Sequence, residues 1–185
     1  MQVEDKTALR AQLRLSRADF ALTAPALSVP RQFALLLRPG ITVASYLPFA
    51  LEADPTPLAE AAYAQGARLV LPHVTGKSAP MRMLVWRPGQ PLCAGPRGLR
   101  QPHKNADGAA PDIVLTPLLA FDRLGNRLGQ GAGYYDRFFA DLPAVLRIGV
   151  AWSIQRVDQL PVDAWDIPLH AIVTEQGWID AEPTP

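Results

Sequence analysis

Residues 41–74 read ITVASYLPFALEADPTPLAEAAYAQGARLVLPHV. A buried-looking, β-branched run (41–49) leads into an alanine-rich segment with proline in its first turn (57–65). Gly66 and a second apolar run (67–74) follow. Two such strands joined through a helix form a βαβ unit, whose strands lie parallel in one sheet. The pattern continues outward in both directions. Residues 4–20 predict a helix with Leu9, Leu13 and Phe20 on one apolar stripe, and 31–38 a second helix closed by Pro39 and Gly40. Further strands are expected at 81–86, 146–152 and 170–175, the segment 112–122 begins as another, and a helix is expected over 133–141. Helices alternating with apolar strands indicate an α/β layered domain around a mostly parallel sheet.

The 185 residues suit one domain, 1–185, with a tail expected to fray over 180–185. A hydrophobic share of 49% against 19% charged excludes a disordered chain. Cys93 stands alone, which rules out an intramolecular disulfide or a cysteine-based zinc cluster and points to a reducing compartment. The start, MQVEDKTALR, is charged, so no secretory leader is expected, and no apolar run approaches the ~20 residues of a membrane span. A cytoplasmic protein is the expectation.

A net charge of +1 argues against general nucleic-acid binding. Between Glu60 and Asp107, however, there is no acidic residue, while Arg68, Lys77, Arg82, Arg87, Arg97, Arg100 and Lys104 are all basic. This is either a solvated basic face or a half that accepts an anionic ligand, opposite a later half whose carboxylates can hold a metal. The same region contains a 25-residue Pro- and Gly-dense stretch (87–111), long enough to carry function or conceal a short element.

Two phosphate motifs are suggested and fail as such. Gly76, Lys77 and Ser78 resemble the end of a P-loop, but Leu71 stands where its first glycine belongs and Pro80 opposes the helix that must follow. Gly129, Gly131 and Gly133 give G-x-G-x-G, the wrong spacing for a dinucleotide fingerprint. Glycines before a helix still let backbone N–H groups converge on phosphate, and Arg127 adds a planar fork suited to its oxygens. A generic glycine turn is the competing reading. His73, His103 and His170 have no spacing that recommends a metal site or triad. Asp136, one turn into the helix after the glycines, and Asp163 and Asp166 in VDAWD are better candidates, because magnesium takes a few carboxylates plus phosphate oxygens and water.

The segment FDRLGNRLGQGAGYYDRFF (121–139) closely resembles the signature of 5-formyltetrahydrofolate cyclo-ligases, F-D-x-x-G-x-R-L-G-x-G-x-G-Y-Y-D, at every fixed position. Lys6 and Arg10 match the family's K-x-x-x-R, and YLPFALEADPTPL, RLVLPHV, PDIVLTPLLAFD and LPVDAWDIPLHAIVTE are similar to its other blocks. The resemblance spans almost the whole chain. It implies a three-layer α/β/α sandwich with a Rossmann-like sheet. It implies ATP-dependent closure of 5-formyltetrahydrofolate to 5,10-methenyltetrahydrofolate, with ADP and phosphate released through a phosphorylated formyl group. By position, Lys6, Arg10 and Arg127, with Leu128, Gly129, Gln130, Gly131, Ala132, Gly133 and Tyr134, would hold ATP. Glu52, Tyr134 and Tyr135 would line the folate site. Arg127 and the two tyrosines would serve catalysis, and Asp136 and Asp166 would bind Mg²⁺. The partners implied are these two small molecules, for a monomer without nucleic acid or membrane. Pro55, Gln101 and His170 depart from residues common in relatives. They motivate the alternative of a paralogue with the same ATP loop and another substrate; a non-catalytic binding module is the third reading.

Overall fold

The computed structural model describes residues 6–183. Helix α1 (Lys6–Ala21) and helix α2 (Arg31–Leu36) precede strand β1 (Thr42–Ala44), helix α3 (Thr56–Ala64), strand β2 (Arg68–His73) and strand β3 (Arg82–Val85). A short hairpin, β4 (Cys93–Ala94) and β5 (Arg100–Gln101), closes over a 3₁₀ turn at Pro96–Gly98. Strand β6 (Ile113–Pro117), a second hairpin of β7 (Ala120–Phe121) and β8 (Arg127–Leu128), helix α4 (Tyr134–Asp141), and strands β9 (Leu146–Val150), β10 (Ala171–Thr174) and β11 (Gly177–Asp180) complete the chain.

The main sheet has seven strands in the order β11-β10-β9-β6-β1-β2-β3. All neighbours are parallel except the two edges, where β3 and β11 return antiparallel. The β1–α3–β2 crossover runs one way along the sheet and β6–α4–β9 runs the other. Right-handed crossovers that diverge must use opposite faces, and they do. Phe33 of α2 and Leu58 and Ala62 of α3 pack on Val43, Leu69, Ile113, Leu115 and Ile148. Phe139 of α4 packs on Ala44, Val70 and Val114. Adjacent residues of one strand thus serve opposite cores, as the two-residue period of a strand requires. The result is a three-layer α/β/α sandwich whose strand order reverses between β1 and β6. In open sheets of this type the crevice beyond the carboxyl ends at that reversal is where ligands bind.

Several expectations change. The strand expected over 41–49 is a ladder of three residues, extended by the Ser45 N–H to Val70 O bond, because the chain then turns over the cleft through Pro48. The helix expected over 31–38 stops at Leu36, since the residue before Pro39 is driven out of the helical region. Residues 4 and 5 of the first expected helix lie outside the described residues. The loop at 87–111 conceals the β4–β5 hairpin. Strand β11 was not foreseen; its pairing continues past 180, where Ala181 N–H donates to His170 O and Glu182 N–H to Arg123 O, so the tail expected to fray is held as far as Glu182. Residues 184 and 185 are outside the description. Among the described residues no helix is long and apolar enough to cross a membrane.

Candidate active site

A cleft of about 1020 Å³ opens at the reversal point, walled by α1, the turn after β1, the glycine loop, the start of α4 and the 163–166 segment. Ligand pockets run to roughly 1,000 Å³, so this one has room for two co-substrates side by side.

Helix α1 supplies one wall because its basic residues recur at helical spacing. Lys6, Arg10, Arg14 and Arg17 fall on one face and all line the cleft, while Leu9 and Leu13 on another face pack on buried Leu128. Lys6 Nζ donates to Asp163 Oδ2 (2.6 Å) and Asp166 Oδ2 (2.8 Å). Burial alone would lower the Lys6 ammonium, but the two carboxylates raise it above its usual value. Arg10 Nε donates to Gly129 O at 2.9 Å. Arg14 reaches Gln130 Oε1 through Nε (3.2 Å) and Nη2 (3.1 Å).

The glycine loop runs from β8 into α4. Gly131 (φ +99°) and Gly133 (φ +65°, the cap of α4) adopt left-handed backbone that side-chain-bearing residues rarely take, leaving the loop bare toward the cleft. Leu128 contributes only backbone there, since its side chain is in the core. Arg127, at the mouth of the loop, is fixed by Asp136 Oδ1 (2.6 Å from Nη2) and by a bond from Nη1 to Ile167 O. Its side chain is 5% exposed; burial lowers its pKa and the Asp136 charge offsets part of that. Tyr134 donates through its hydroxyl to Gly76 O (3.0 Å), with the Arg137 guanidinium 5.5 Å from its ring centre. Arg137 also donates to Ala132 O (3.0 Å) and Lys77 O (3.1 Å), so the basic 76–78 segment closes the rim of the glycine loop.

The opposite end is built around Glu52. Its Oε2 accepts the Phe49 N–H (3.1 Å) and its Oε1 the Gln130 amide (3.4 Å). Burial raises the Glu52 carboxyl above its ordinary value, opposed by the Phe49 N–H, Arg17 and Gln130. The turn carrying it holds two consecutive left-handed residues, Ala50 (φ +48°) and Leu51 (φ +64°). Arg17 Nη2 ties that turn through Ala50 O (2.6 Å). Tyr46, buried behind, donates to Ala53 O, and burial first and Glu52 second push its phenol up. Tyr135 packs 5.9 Å from Phe139, and the same two causes push its phenol up too.

The structure therefore gathers Lys6, Arg10, Glu52, Arg127–Asp136 and Asp166 into one cleft. It brings in Asp163, a carboxylate the sequence had offered beside Asp166, and adds residues that the sequence reading passed over: Arg14, Arg17, Tyr46 and Arg137, of which the spacing of Arg14 and Arg17 behind Lys6 and Arg10 was a usable signal. Of the basic stretch, Lys77, Arg97 and Arg100 line the cleft, whereas Arg68 and Arg87 line a separate groove of about 250 Å³. Gln101 is 6% exposed and its Oε1 accepts the Val74 N–H at 3.0 Å, so it braces the wall. Pro55 caps α3 and His170 pairs with Arg147, both away from the cleft lining. No group of three or more His, Cys, Asp or Glu comes together as a metal cage among the described residues. Asp136 and Asp166, the carboxylates expected to hold magnesium, both line the cleft, each held by a cation: Asp136 by Arg127 and Asp166 by Lys6.

A bare glycine loop, clustered cations and a far end built around a partly buried carboxyl, set at the reversal of an α/β sheet, define an enzyme cleft for an anionic nucleotide and a second ligand. Residues 2–175 match the model of the 5-formyltetrahydrofolate cyclo-ligase family. The chain belongs to that family. It is 37% identical over 140 residues to the 5-formyltetrahydrofolate cyclo-ligase of Escherichia coli K12, covering 72% of this chain and 77% of that one. With the Haemophilus influenzae cyclo-ligase it shares 31% over 169 residues, 87% of each. Among solved structures it resembles the Aquifex aeolicus 5,10-methenyltetrahydrofolate synthetase (TM-score 0.65, 29% identity, 96% of this chain and 86% of that one). The Mycoplasma pneumoniae synthetase is similar as well (TM-score 0.66, 27% identity, 93% and 99%).

Proposed function

We propose that the protein uses ATP to close 5-formyltetrahydrofolate into 5,10-methenyltetrahydrofolate. The observation that carries this reading is the meeting, in one cleft, of the complete family glycine loop with Lys6, Arg10 and Arg127 at one end and Glu52 and Tyr135 at the other.

The formyl oxygen is a poor leaving group until it is phosphorylated. In this reading the formyl oxygen attacks the γ-phosphorus and ADP departs. N10 then attacks the formyl carbon, the C–O bond breaks with loss of phosphate, and the N10 proton is released. The protein's contribution to the first step is charge and position. Lys6, Arg10 and Arg127 hold the phosphates, and the N–H groups of the loop from Leu128 through Gly129, Gln130, Gly131, Ala132 and Gly133 to Tyr134 face them. Asp136 and Asp166 would hold Mg²⁺, which supplies charge neutralisation on the phosphoryl oxygens. The contribution to the second step is proximity: Glu52, Tyr134 and Tyr135 fix the pterin so that N10 lies against the formyl carbon. No side-chain nucleophile is needed, and no Ser, Thr, Cys or His is among the described residues lining the cleft. The protein would work as a monomer in the cytoplasm, a setting that accords with the free, exposed thiol of Cys93.

Of the three departures that motivate the paralogue reading, Pro55 and His170 lie outside the cleft lining, and Gln101, which lines it, spends its Oε1 on the Val74 N–H. The test is the near-ultraviolet band of the methenyl product. Purified protein with 5-formyltetrahydrofolate and Mg-ATP should generate it, ATP should be required, and Arg127→Ala and Asp136→Ala should abolish it. Folded protein that binds ATP and yields no band would overturn the reading.

A further inference from the structure

Arg17 is 3% exposed, yet among the described residues its Nε and Nη1 find no acceptor, and its one hydrogen bond is from Nη2 to Ala50 O. A buried guanidinium with idle donors is costly, and a chain keeps one where the charge has a use. The carbonyl it does hold belongs to the turn with two left-handed non-glycine residues, the turn that ends in Glu52. Glu52 is under-partnered in its turn, with one backbone N–H and one long amide contact. No ion pair joins the two side chains among the described residues, although Arg17 is the cation whose field acts on Glu52.

Helix α1 explains why the cation sits there. Lys6 and Arg10 meet Asp163, Asp166 and the glycine loop, and Arg14 and Arg17, further along the same face, meet Gln130 and the Glu52 turn. Eleven residues of helix are roughly 16 Å, enough for one face to reach both ends of the cleft.

We propose that Arg17 is a positioning residue for the second substrate: it clamps the strained Ala50–Leu51 turn and serves as the counter-charge that keeps Glu52 an ionised acceptor facing the cleft. This rests on the cyclo-ligase reading, in which Glu52 contacts the folate. The groups that act on Glu52 are Arg17 from α1, Tyr46 after β1, Gln130 from the glycine loop and Tyr135 from α4, with Arg14 reaching it only through Gln130. Among them the buried, unpaired charge is that of Arg17.

The experiment is a steady-state comparison of wild type, Arg17→Met, Arg17→Lys, Glu52→Gln and the Arg17→Met/Glu52→Gln double variant, across pH. Arg17→Met should raise KM for 5-formyltetrahydrofolate about tenfold, the scale of a lost charge-assisted contact, with KM for ATP unchanged. The rise in that KM on acidification should begin at higher pH than in wild type, because without Arg17 the Glu52 carboxyl takes up its proton sooner. Arg17→Lys should restore the acid limb while recovering only part of the affinity, since an ammonium keeps the charge but not the planar fork. In the Glu52→Gln background Arg17→Met should add little, because its effect runs through Glu52. Additive effects, an unmoved acid limb, or an equal rise in KM for ATP would each overturn the proposal. Should Arg17→Met not fold, Arg17→Lys carries the test, and a lysine variant identical to wild type in KM and pH profile would defeat it. A wild type that turns over no 5-formyltetrahydrofolate defeats the functional reading instead, before any variant is compared.

Discussion

The two ends of the cleft solve opposite problems. At the glycine-loop end each cation proposed for phosphate already has an acceptor: Lys6 on Asp163 and Asp166, Arg127 on Asp136 and Ile167 O, Arg10 on Gly129 O. At the Glu52 end the cation is buried with idle donors, the carboxylate is raised by burial, and the backbone between them is left-handed at two residues. The first end is a set of charges balanced while it waits. The second holds unbalanced charge and strain, which persist where a functional site has a use for them. Stability and function should therefore move together when the first end is damaged and apart when the second is.

Arg127→Ala should give the largest effect. It removes the fork beside the glycine loop and strands Asp136, so kcat should fall by about a hundredfold or more. Stability in urea should drop by ~3 kcal/mol, since one partner of a largely buried pair is left alone. A variant with wild-type stability and lost turnover would show that the pair does not brace the loop, and the contrast between the ends would narrow.

Glu52→Gln should do the reverse. KM for 5-formyltetrahydrofolate should rise about tenfold, by loss of a charged acceptor, while the melting temperature at neutral pH should rise. The sign follows from linkage. The folded Glu52 carboxyl lies above its ordinary value of 4.5, so above the folded pKa it is ionised in both states and the folded state bears the cost. As pH falls through the folded pKa, the native protein takes up the proton first and that cost is relieved. The advantage of Glu52→Gln should be widest at neutral pH and close as pH approaches 4.5. Melting curves of both proteins from neutral to acidic pH decide it.

Legibility in the sequence followed the same division. The alternation of strands and helices was readable because each element carries its own period, and the glycine-loop end because its residues are contiguous from Arg127 to Asp136. Of its partners from afar, Asp166 stood out as a carboxylate in VDAWD, and Lys6 came through the family likeness. The Glu52 end has no local signature. Arg17 on α1, Tyr46 and Glu52 on the β1–α3 connection and Gln130 in the glycine loop lie on three separate segments, and what joins them is a turn at Ala50–Leu51 whose residue types announce no left-handed backbone. Strand β11 and the β4–β5 hairpin were missed for a related reason: four- and two-residue ladders are too short for a period, and their partners define them. Arg17 illustrates the general case, for a basic residue at helical spacing reads as a solvated face until packing buries it.

Lys6→Met should have a smaller effect, confined to the glycine-loop end. Asp163 is 41% exposed on its side chain, so the loss of stability should be under ~1 kcal/mol. KM for ATP should rise about fivefold to tenfold, the scale of a charged contact, with KM for the folate unchanged. Because the folded Lys6 pKa is raised, its stabilisation is full below the ordinary value of 10.5 and is lost as pH rises through the folded value. Wild type and variant should then converge in strong alkali, which chemical denaturation at successive pH values measures. A folate KM that moved with the ATP KM would mean that the two ends are one.

The smallest expected effect is the sharpest on strain. Leu35 and Leu51 are both exposed leucines, at 74% and 48%, so replacing either with glycine removes little burial. Leu35 lies inside α2, and there glycine should cost ~1 kcal/mol in helix propensity and chain entropy. Leu51 is left-handed, so glycine should recover ~1 kcal/mol of backbone strain and give back about as much in unfolded-state entropy. The prediction is a near-neutral Leu51→Gly beside a destabilised Leu35→Gly in paired urea titrations. A loosened turn should nonetheless raise KM for 5-formyltetrahydrofolate while Leu35→Gly leaves it alone. If the two glycines cost the same, the Glu52 turn stores no strain, and the clamp by Arg17 has nothing to hold against.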